Sequence, residues 1–384
     1  MLRIVSENFE VKTLKKIKVM SVIGTRPEGI KMIPLVKALK NDSAFESIFV
    51  NTGQHKEQLD QVLELFSVEP DYNLNIMERK PKLEEILAVI LVELSKILDK
   101  EKPDIVLVHG DTATTLAGAQ AAFFRQIPVG HIEAGLRTFD RYSPFPEEMN
   151  RQVVGKYTTL HFAATETNKS NLLAELVNEK DIFVVGNTVI DALFDVTSKK
   201  LDIPLEIKSI IENPYHTILL TTHRRENLEE LNDVYSAVNH LIKEYNDIQF
   251  VFPIHKNPAV RKKVYASLSK DPRVHLLEPL DYYVFSQLMN SSYFIITDSG
   301  GIQEEAPALK KPVLVARKST ERTEGIEAGT LKLVGTNTET IINESIKLLE
   351  QPSYYQSFSR NRNPYGDGKT SEKIVSIIKN YFSS

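Results

Sequence analysis

No cysteine occurs anywhere in the 384 residues. Disulfides, thiolate metal sites and cysteine nucleophiles are excluded at once, and with them a secreted fold stapled by disulfides. No apolar run approaches the ~20 residues that span a bilayer. Residues 1–16 mix charges with isolated apolar side chains and lack the continuous apolar core of a signal peptide. A cytoplasmic protein with no membrane partner is expected. A surplus of positive charge is missing too: 47 Lys and Arg stand against 51 Asp and Glu, for a net charge of -4. Nucleic-acid binding needs a basic surface that displaces counterions from phosphates, so no nucleic-acid partner is expected and any anion site must be local. Short internal repeats and low-complexity tracts are absent as well.

What remains is ordinary globular material, 42% hydrophobic and 26% charged. The length exceeds the ~250–300 residues at which single cores stop growing, so two domains are expected. Nearly continuous apolar runs at 16–23, 48–51, 104–109, 128–132, 160–163 and 182–185 read as parallel strands covered on both faces. Helical patterns such as 34–40, 55–66 and 83–98 lie between them. After a polar stretch at 199–213 the alternation restarts, with strands expected at 217–222, 248–252, 274–277, 293–297 and 312–316. This repetition predicts an α/β protein with two Rossmann-like, doubly wound domains facing across a cleft. The expected division is residues 1–195, residues 196–368, and a helix within 369–384 that packs back on the first domain. The first 15 residues read as an appendage.

In open α/β sheets ligands sit outside the carboxyl ends of strands, so the polar residues after each strand carry the chemistry. Gly24-Thr25-Arg26-Pro27-Glu28-Gly29 with Lys31 is neither the dinucleotide fingerprint nor a P-loop. It offers a tight turn, a helix N-terminus and two cations, Arg26 and Lys31, suited to a diphosphate. The plain alternative is a strand–helix turn with a surface arginine. In the second half, Asp298-Ser299-Gly300-Gly301 opens a helix whose N-terminus favours phosphate. Glu305, one turn further, could accept two ribose hydroxyls, and Phe285 could stack on a base or serve as core. Asp111, Glu133 and Glu147 each follow a strand and could converge as an acid/base group. Their mutual repulsion should raise at least one pKa, although Asp111 could instead cap its helix. His223, with Arg224 and Arg225, and His255 also follow strands. A pyrophosphate ligand suits them better than a metal, because they lack metal-site spacing.

Nine motifs in this order resemble the non-hydrolysing UDP-N-acetylglucosamine 2-epimerases. They are GTRPEGIK from Gly24, TGQH from Thr52, HGDTATT from His109, HIEAGLRT from His131, SPFPEEMNR from Ser143, VGNTVID from Val185, THRREN from Thr222, FPIHKNP from Phe252 and TDSGGIQEEAPALKKPVLVAR from Thr297. The resemblance covers about residues 17–380. It implies a glycosyltransferase-B type fold, a homodimer, and interconversion of UDP-GlcNAc and UDP-ManNAc without NAD or metal. It implies that UDP is eliminated to a 2-acetamidoglucal and then adds back. Asp111, Glu133 and Glu147 match the family's catalytic acids, and His223 matches a residue near the phosphates. Arg26, Lys31, Phe285, Ser299, Gly300, Gly301 and Glu305 match UDP-binding positions, and His255 stands in a matching motif. Gln54 and His55 match a second, activating UDP-GlcNAc site of bacterial members. There Glu57 replaces a usual Gln and Lys80-Pro81 a usual Arg-Gln, while Thr323 replaces a usual Pro elsewhere. A C2-epimerase of a related UDP-2-acetamido sugar and a UDP-sugar glycosyltransferase are the alternatives, and three clustered acids count against the latter.

Overall fold

A computed structural model describes residues 15–54, 56–76, 82–222, 231–254, 257–268 and 270–383. In the first half, strands β1 (Ile17–Ile23), β2 (Phe45–Asn51), β3 (Tyr72–Asn73), β4 (Ile105–His109), β5 (Val129–Ala134), β6 (Leu160–Ala163) and β7 (Ile182–Val184) form one sheet. Its order is β3-β2-β1-β4-β5-β6-β7, with every pairing parallel. In the second half, β8 (His216–Thr221), β9 (Ile248–Pro253), β10 (Val274–Leu277), β11 (Phe294–Thr297), β12 (Val313–Val315) and β13 (Leu331–Leu333) form another, in the order β10-β9-β8-β11-β12-β13. It too is parallel throughout. The order reverses between β1 and β4 in the first sheet and between β8 and β11 in the second, which are the two positions where a doubly wound sheet opens a crevice.

The strands follow from their composition. Val19, Met20, Val22 and Ile23 of β1 are fully buried, as a strand with helices on both faces requires. The helix Arg26–Asn41 answers with Ile30, Met32, Ile33, Leu35, Val36 and Leu39, all buried. It starts well before the expected residue 34, because Thr25 and Glu28 form a capping box at its N-terminus. Two strands escape the sequence reading. β3 has two residues and β13 has three, with the pattern Leu-Lys-Leu, too short for periodicity to register. The polar stretch 199–213 contains a short helix, Leu205–Glu212, which buries Ile207 and Ile210.

One apolar cluster runs from the first sheet into the second. It includes Ile23 and Phe49, passes through Val189, Ile190, Leu193 and Val196, and reaches Leu288, Ile295 and Val313. The four middle residues belong to the helix Thr188–Ser198, which packs against the helices Arg26–Asn41, Tyr282–Ser291, Gly300–Ala308 and Thr370–Ser383. The last of these also lies along Arg26–Asn41. Among the described residues no helix is long and apolar enough to cross a membrane.

The start of the terminal helix is capped by a carboxylate from another helix. Asp191 accepts from the backbone N–H of Thr370 at 3.2 Å and of Ser371 at 2.7 Å, supplying donors at a helix start with the acceptor they otherwise lack. Replacing Asp191 with Ala should cost about 1–2 kcal/mol, the usual worth of such a cap, and Asp191→Asn should cost less. Denaturant unfolding of the two variants measures the difference; equal stability of Ala, Asn and wild type would refute the capping role.

Candidate active site

At the carboxyl ends of the first sheet lies a cavity of about 470 Å³, lined among others by Lys31, Gln54, Asp111, Glu133, Glu147 and Arg322. The three acids picked out by strand-end position therefore share one space, which also takes in Arg322 from the second half.

Asp111 follows β4 but does not cap the next helix. Thr112 does, accepting from the Thr115 N–H at 3.2 Å. The Asp111 carboxylate is left to face Arg151, whose Nη2 donates to its Oδ2, while its backbone carbonyl accepts from Asn150 Nδ2 at 2.8 Å. Burial raises the Asp111 pKa and outweighs the pull of Arg151; the neighbouring charge of Glu133 adds to the rise.

Glu133 lies at the end of β5 in left-handed backbone, φ +65°, where the register with β6 shifts between Ile132 and Ala134. A non-glycine residue there is strained by about 1–2 kcal/mol. The turn brings its carboxylate into the cleft. Oε1 accepts from Lys31 Nζ and, at 3.0 Å, from Asn187 Nδ2. Oε2 lies 3.8 Å from His109 Nε2. Burial opposes ionisation, but Lys31, His109 and Arg322 together hold the carboxyl far below its ordinary range. Repulsion within the acid group was expected to push a pKa up. Here the cations dominate at Glu133, and burial more than repulsion lifts Asp111. Lys31 is half-buried, and Glu133 and Glu304 keep its ammonium charged against the cost of lost hydration. Its charge faces these carboxylates.

Glu147 begins the helix Glu147–Tyr157, and the next residue, Glu148, is fully buried. Glu148 accepts from the backbone N–H of Thr138 at 3.0 Å and Phe139 at 3.2 Å and from Gln152 Nε2 at 2.7 Å. It lies 3.4 Å from Arg151 Nη1. The loop that carries Glu147 is thus anchored by its neighbour. Gln54 accepts from Thr114 Oγ1 at 3.1 Å.

The remaining sites of interest are dispersed. Arg26 is the first residue of its helix and half-buried. Phe285 is half-buried against the apolar core. Ser299 stands at the N-cap position of the helix Gly300–Ala308, without a side-chain cap hydrogen bond. A Cβ on Gly300 would come within 3.2 Å of the Arg322 guanidinium, whereas Gly301 faces open space. None of these five positions lines the cavity. Glu305 is buried in the same helix, and its pKa rises to about 8, through burial first and then the Glu304 charge, with Lys31, Tyr282 and Arg26 opposing. His55, His223 and His255 lie outside the described residues, as do Arg224, Arg225, Lys80-Pro81 and the side chain of Glu57.

Several buried groups escaped the sequence reading. Glu28 accepts from Gly24 N, Thr25 N and Thr25 Oγ1 at 3.0, 2.7 and 2.8 Å, and from Thr112 Oγ1 at 2.7 Å. It thereby locks the turn after β1 to the turn carrying Asp111. Glu304 accepts from Arg322 Nε at 2.9 Å. The capping-box spacing of Thr25 and Glu28 was a visible signal; Glu304 and Arg322 had none.

Two parallel sheets joined by buried charges at their carboxyl ends make a two-domain α/β enzyme of the glycosyltransferase-B type. A glycosyltransferase from Rickettsia africae, 16% identical, shares the fold with a TM-score of 0.64 over 96% of this chain and 99% of that one. The chain belongs to the UDP-N-acetylglucosamine 2-epimerase family, whose model matches residues 37–379. It is 50% identical over 363 residues to the UDP-N-acetylglucosamine 2-epimerase of Bacillus subtilis, covering 94% of this chain and 95% of that one. The UDP-GlcNAc 2-epimerase of Neisseria meningitidis, solved bound to UDP-GlcNAc, is 47% identical, with a TM-score of 0.84 over 94% of this chain and all (100%) of that one.

Glu305 supplies a test of the electrostatics. Its pKa of about 8 in the folded chain exceeds the unperturbed 4.5. The unfolded chain therefore loses this proton first. The contribution to stability is full below pH 4.5 and is lost as pH rises toward 8. Glu305→Gln cannot ionise, so wild type should lose stability relative to this variant between those limits. Denaturant unfolding at both pH values measures it, and a constant difference would contradict a neutral buried Glu305.

Proposed function

We propose that this enzyme interconverts UDP-GlcNAc and UDP-ManNAc by eliminating UDP and adding it back. The convergence of Asp111, Glu133 and Glu147 on one cavity carries the reading, together with membership of the family. The proton at C2 of the sugar is not adjacent to a carbonyl and is poorly acidic. Breaking the C1–O bond sends its electron pair out with UDP and builds positive charge at C1. A carboxylate can then remove the C2 proton, and a C1=C2 double bond forms. Return of the proton to the opposite face and of UDP to C1 gives the epimer. Nothing is oxidised or reduced over the cycle, so the chemistry calls for no hydride acceptor.

Inversion needs two proton-transfer groups, one for each face. In this reading they are Asp111, whose proton affinity is raised, and Glu147, on a separate loop. Glu133, held ionised beside Lys31, stabilises the cationic carbon. The second half supplies the UDP cradle, with the helix N-terminus at Ser299, Gly300 and Gly301 and with Glu305 toward the ribose. Arg26, Phe285, His223 and His255 complete it, and Gln54 and His55 serve a second, activating sugar nucleotide. The proposed division is residues 1–195, 196–368 and 369–384, supported by each sheet lying within one of the first two parts. The protein works as a cytoplasmic homodimer. Val92, Phe123 and Phe124, exposed apolar side chains on neighbouring helices, favour an assembly face there.

Incubation with UDP-GlcNAc alone in deuterated water should yield UDP-ManNAc carrying deuterium at C2, read by NMR. Retention of the C2 proton would eliminate this route, and a need for an acceptor would favour a glycosyltransferase. Asp111→Asn and Glu147→Gln should each lower turnover by about 10²–10⁴. Unchanged rates in both would show that other groups move the proton.

A further inference from the structure

One side chain touches carboxylates from both halves of the molecule. Nδ2 of Asn187 donates to Glu133 Oε1 at 3.0 Å and to Glu304 Oε2 at 2.9 Å. Its direction is fixed, because Oδ1 accepts from the Val189 N–H at 3.1 Å and caps the helix Thr188–Ser198. Only the NH₂ end remains for the carboxylates, and its two hydrogens can serve one each. The backbone is held as firmly. Asn187 N–H donates to the Tyr365 carbonyl at 2.6 Å. Gly186 before it takes φ +96°, where a Cβ would lie 2.8 Å from Thr370 Oγ1. Glu304 in turn accepts from Arg322 Nε, so a chain of hydrogen bonds runs from Lys31 through Glu133, Asn187 and Glu304 to Arg322, with donors and acceptors alternating.

We propose that Asn187 is a positioning residue that fixes Glu133 against Lys31 and couples that geometry to the seating of the second half through Glu304. The role rests on the epimerase reading for its consequence in turnover, but the hydrogen-bond bridge stands apart from it. The charged and titratable groups around Glu133 are Lys31 from the helix after β1, His109 and Asp111 at the end of β4, and Arg322 from the second half. Glu304 stands across the amide. A neutral donor between two carboxylates removes repulsion that a third acid would aggravate.

Substitutions separate this role from capping. Ser, Asp and Asn are about equally good N-caps, so Asn187→Ser and Asn187→Asp preserve the helix start. Serine is too short to span both carboxylates. In N187S, kcat should fall about 10–100-fold, the usual effect of a misplaced catalytic group, while KM changes by less than about threefold. In N187D the introduced carboxyl meets Glu133 and Glu304 and must keep a proton to replace the lost donor. Its activity relative to wild type should therefore rise as pH falls from about 8 to 5.5.

A second readout does not require turnover. With aspartate labelled with ¹³C at its carboxyl, the difference between N187D and wild-type spectra isolates the new group. Its midpoint should lie above about 5.5, against ~3.9 for an unperturbed aspartate. A midpoint at or below that ordinary value would reduce Asn187 to a helix cap and overturn the inference, as would wild-type kcat in N187S. Absence of UDP-GlcNAc turnover by the wild type would instead defeat the epimerase reading, leaving the titration to decide on the bridge.

Discussion

The site depends on an ion pair between Lys31 and Glu133, 102 residues apart in sequence. Their side chains are only 17% and 11% exposed, and taking either charge fully out of water alone would cost several kcal/mol. They are tolerable there because they meet, and because His109 and Asn187 stand by the remaining carboxylate positions. Burying such a pair fixes more than two side chains. The helix after β1 must present Lys31 at one point, and β5 must end in a left-handed turn for Glu133 to reach it. Losing one partner would leave an uncompensated charge at the centre of the cavity, a far larger penalty than the pair itself gains.

The same burial acts in opposite directions on neighbouring acids. Asp111 and Glu133 open on one space, yet Asp111 is raised and Glu133 lowered. The difference lies in their partners. Asp111 has a single guanidinium, which Arg151 shares with Glu148; Glu133 has an ammonium at hydrogen-bond contact and an arginine beyond it. Environments that push two titratable groups apart are how one cavity can hold both a proton-exchanging and a permanently charged carboxylate.

How much of this the sequence discloses depends on the kind of signal. Buried parallel strands write themselves as apolar runs, and β1, β4, β6 and β10 stand within a residue of their expected limits. The acids at strand ends were visible because the topology of open α/β sheets says where to look. Their partners were not. Asp111 and Thr112 are both good caps, and only the structure shows that Thr112 caps while Asp111 turns to Arg151. Glu147 and Glu148 are adjacent in one motif; the buried one, Glu148, anchors the loop, and its neighbour is left facing the cavity. Nothing local pairs Asn187, Glu304 and Arg322: Asn187 meets Glu304 across 117 residues, and Glu304 meets Arg322 across 18.

Inversion at a sugar carbon explains why so many buried charges are worth their cost to stability. A proton must leave one face and arrive on the other while the leaving group waits, so the two transferring groups cannot share a loop or a hydrogen bond. Asp111 and Glu147, the pair proposed for the transfer, lie on separate loops, and Arg151 links the two by meeting both Asp111 and the loop anchor Glu148. The cationic carbon between them needs a negative charge that does not itself take the proton, or the ring would be trapped. A carboxylate locked to Lys31 satisfies that condition, because neutralising it would strand the ammonium beside it in a buried site. In the proposed reaction the ion pair therefore guards the chemistry as well as the fold: it holds one acid out of the proton traffic assigned there to the other two.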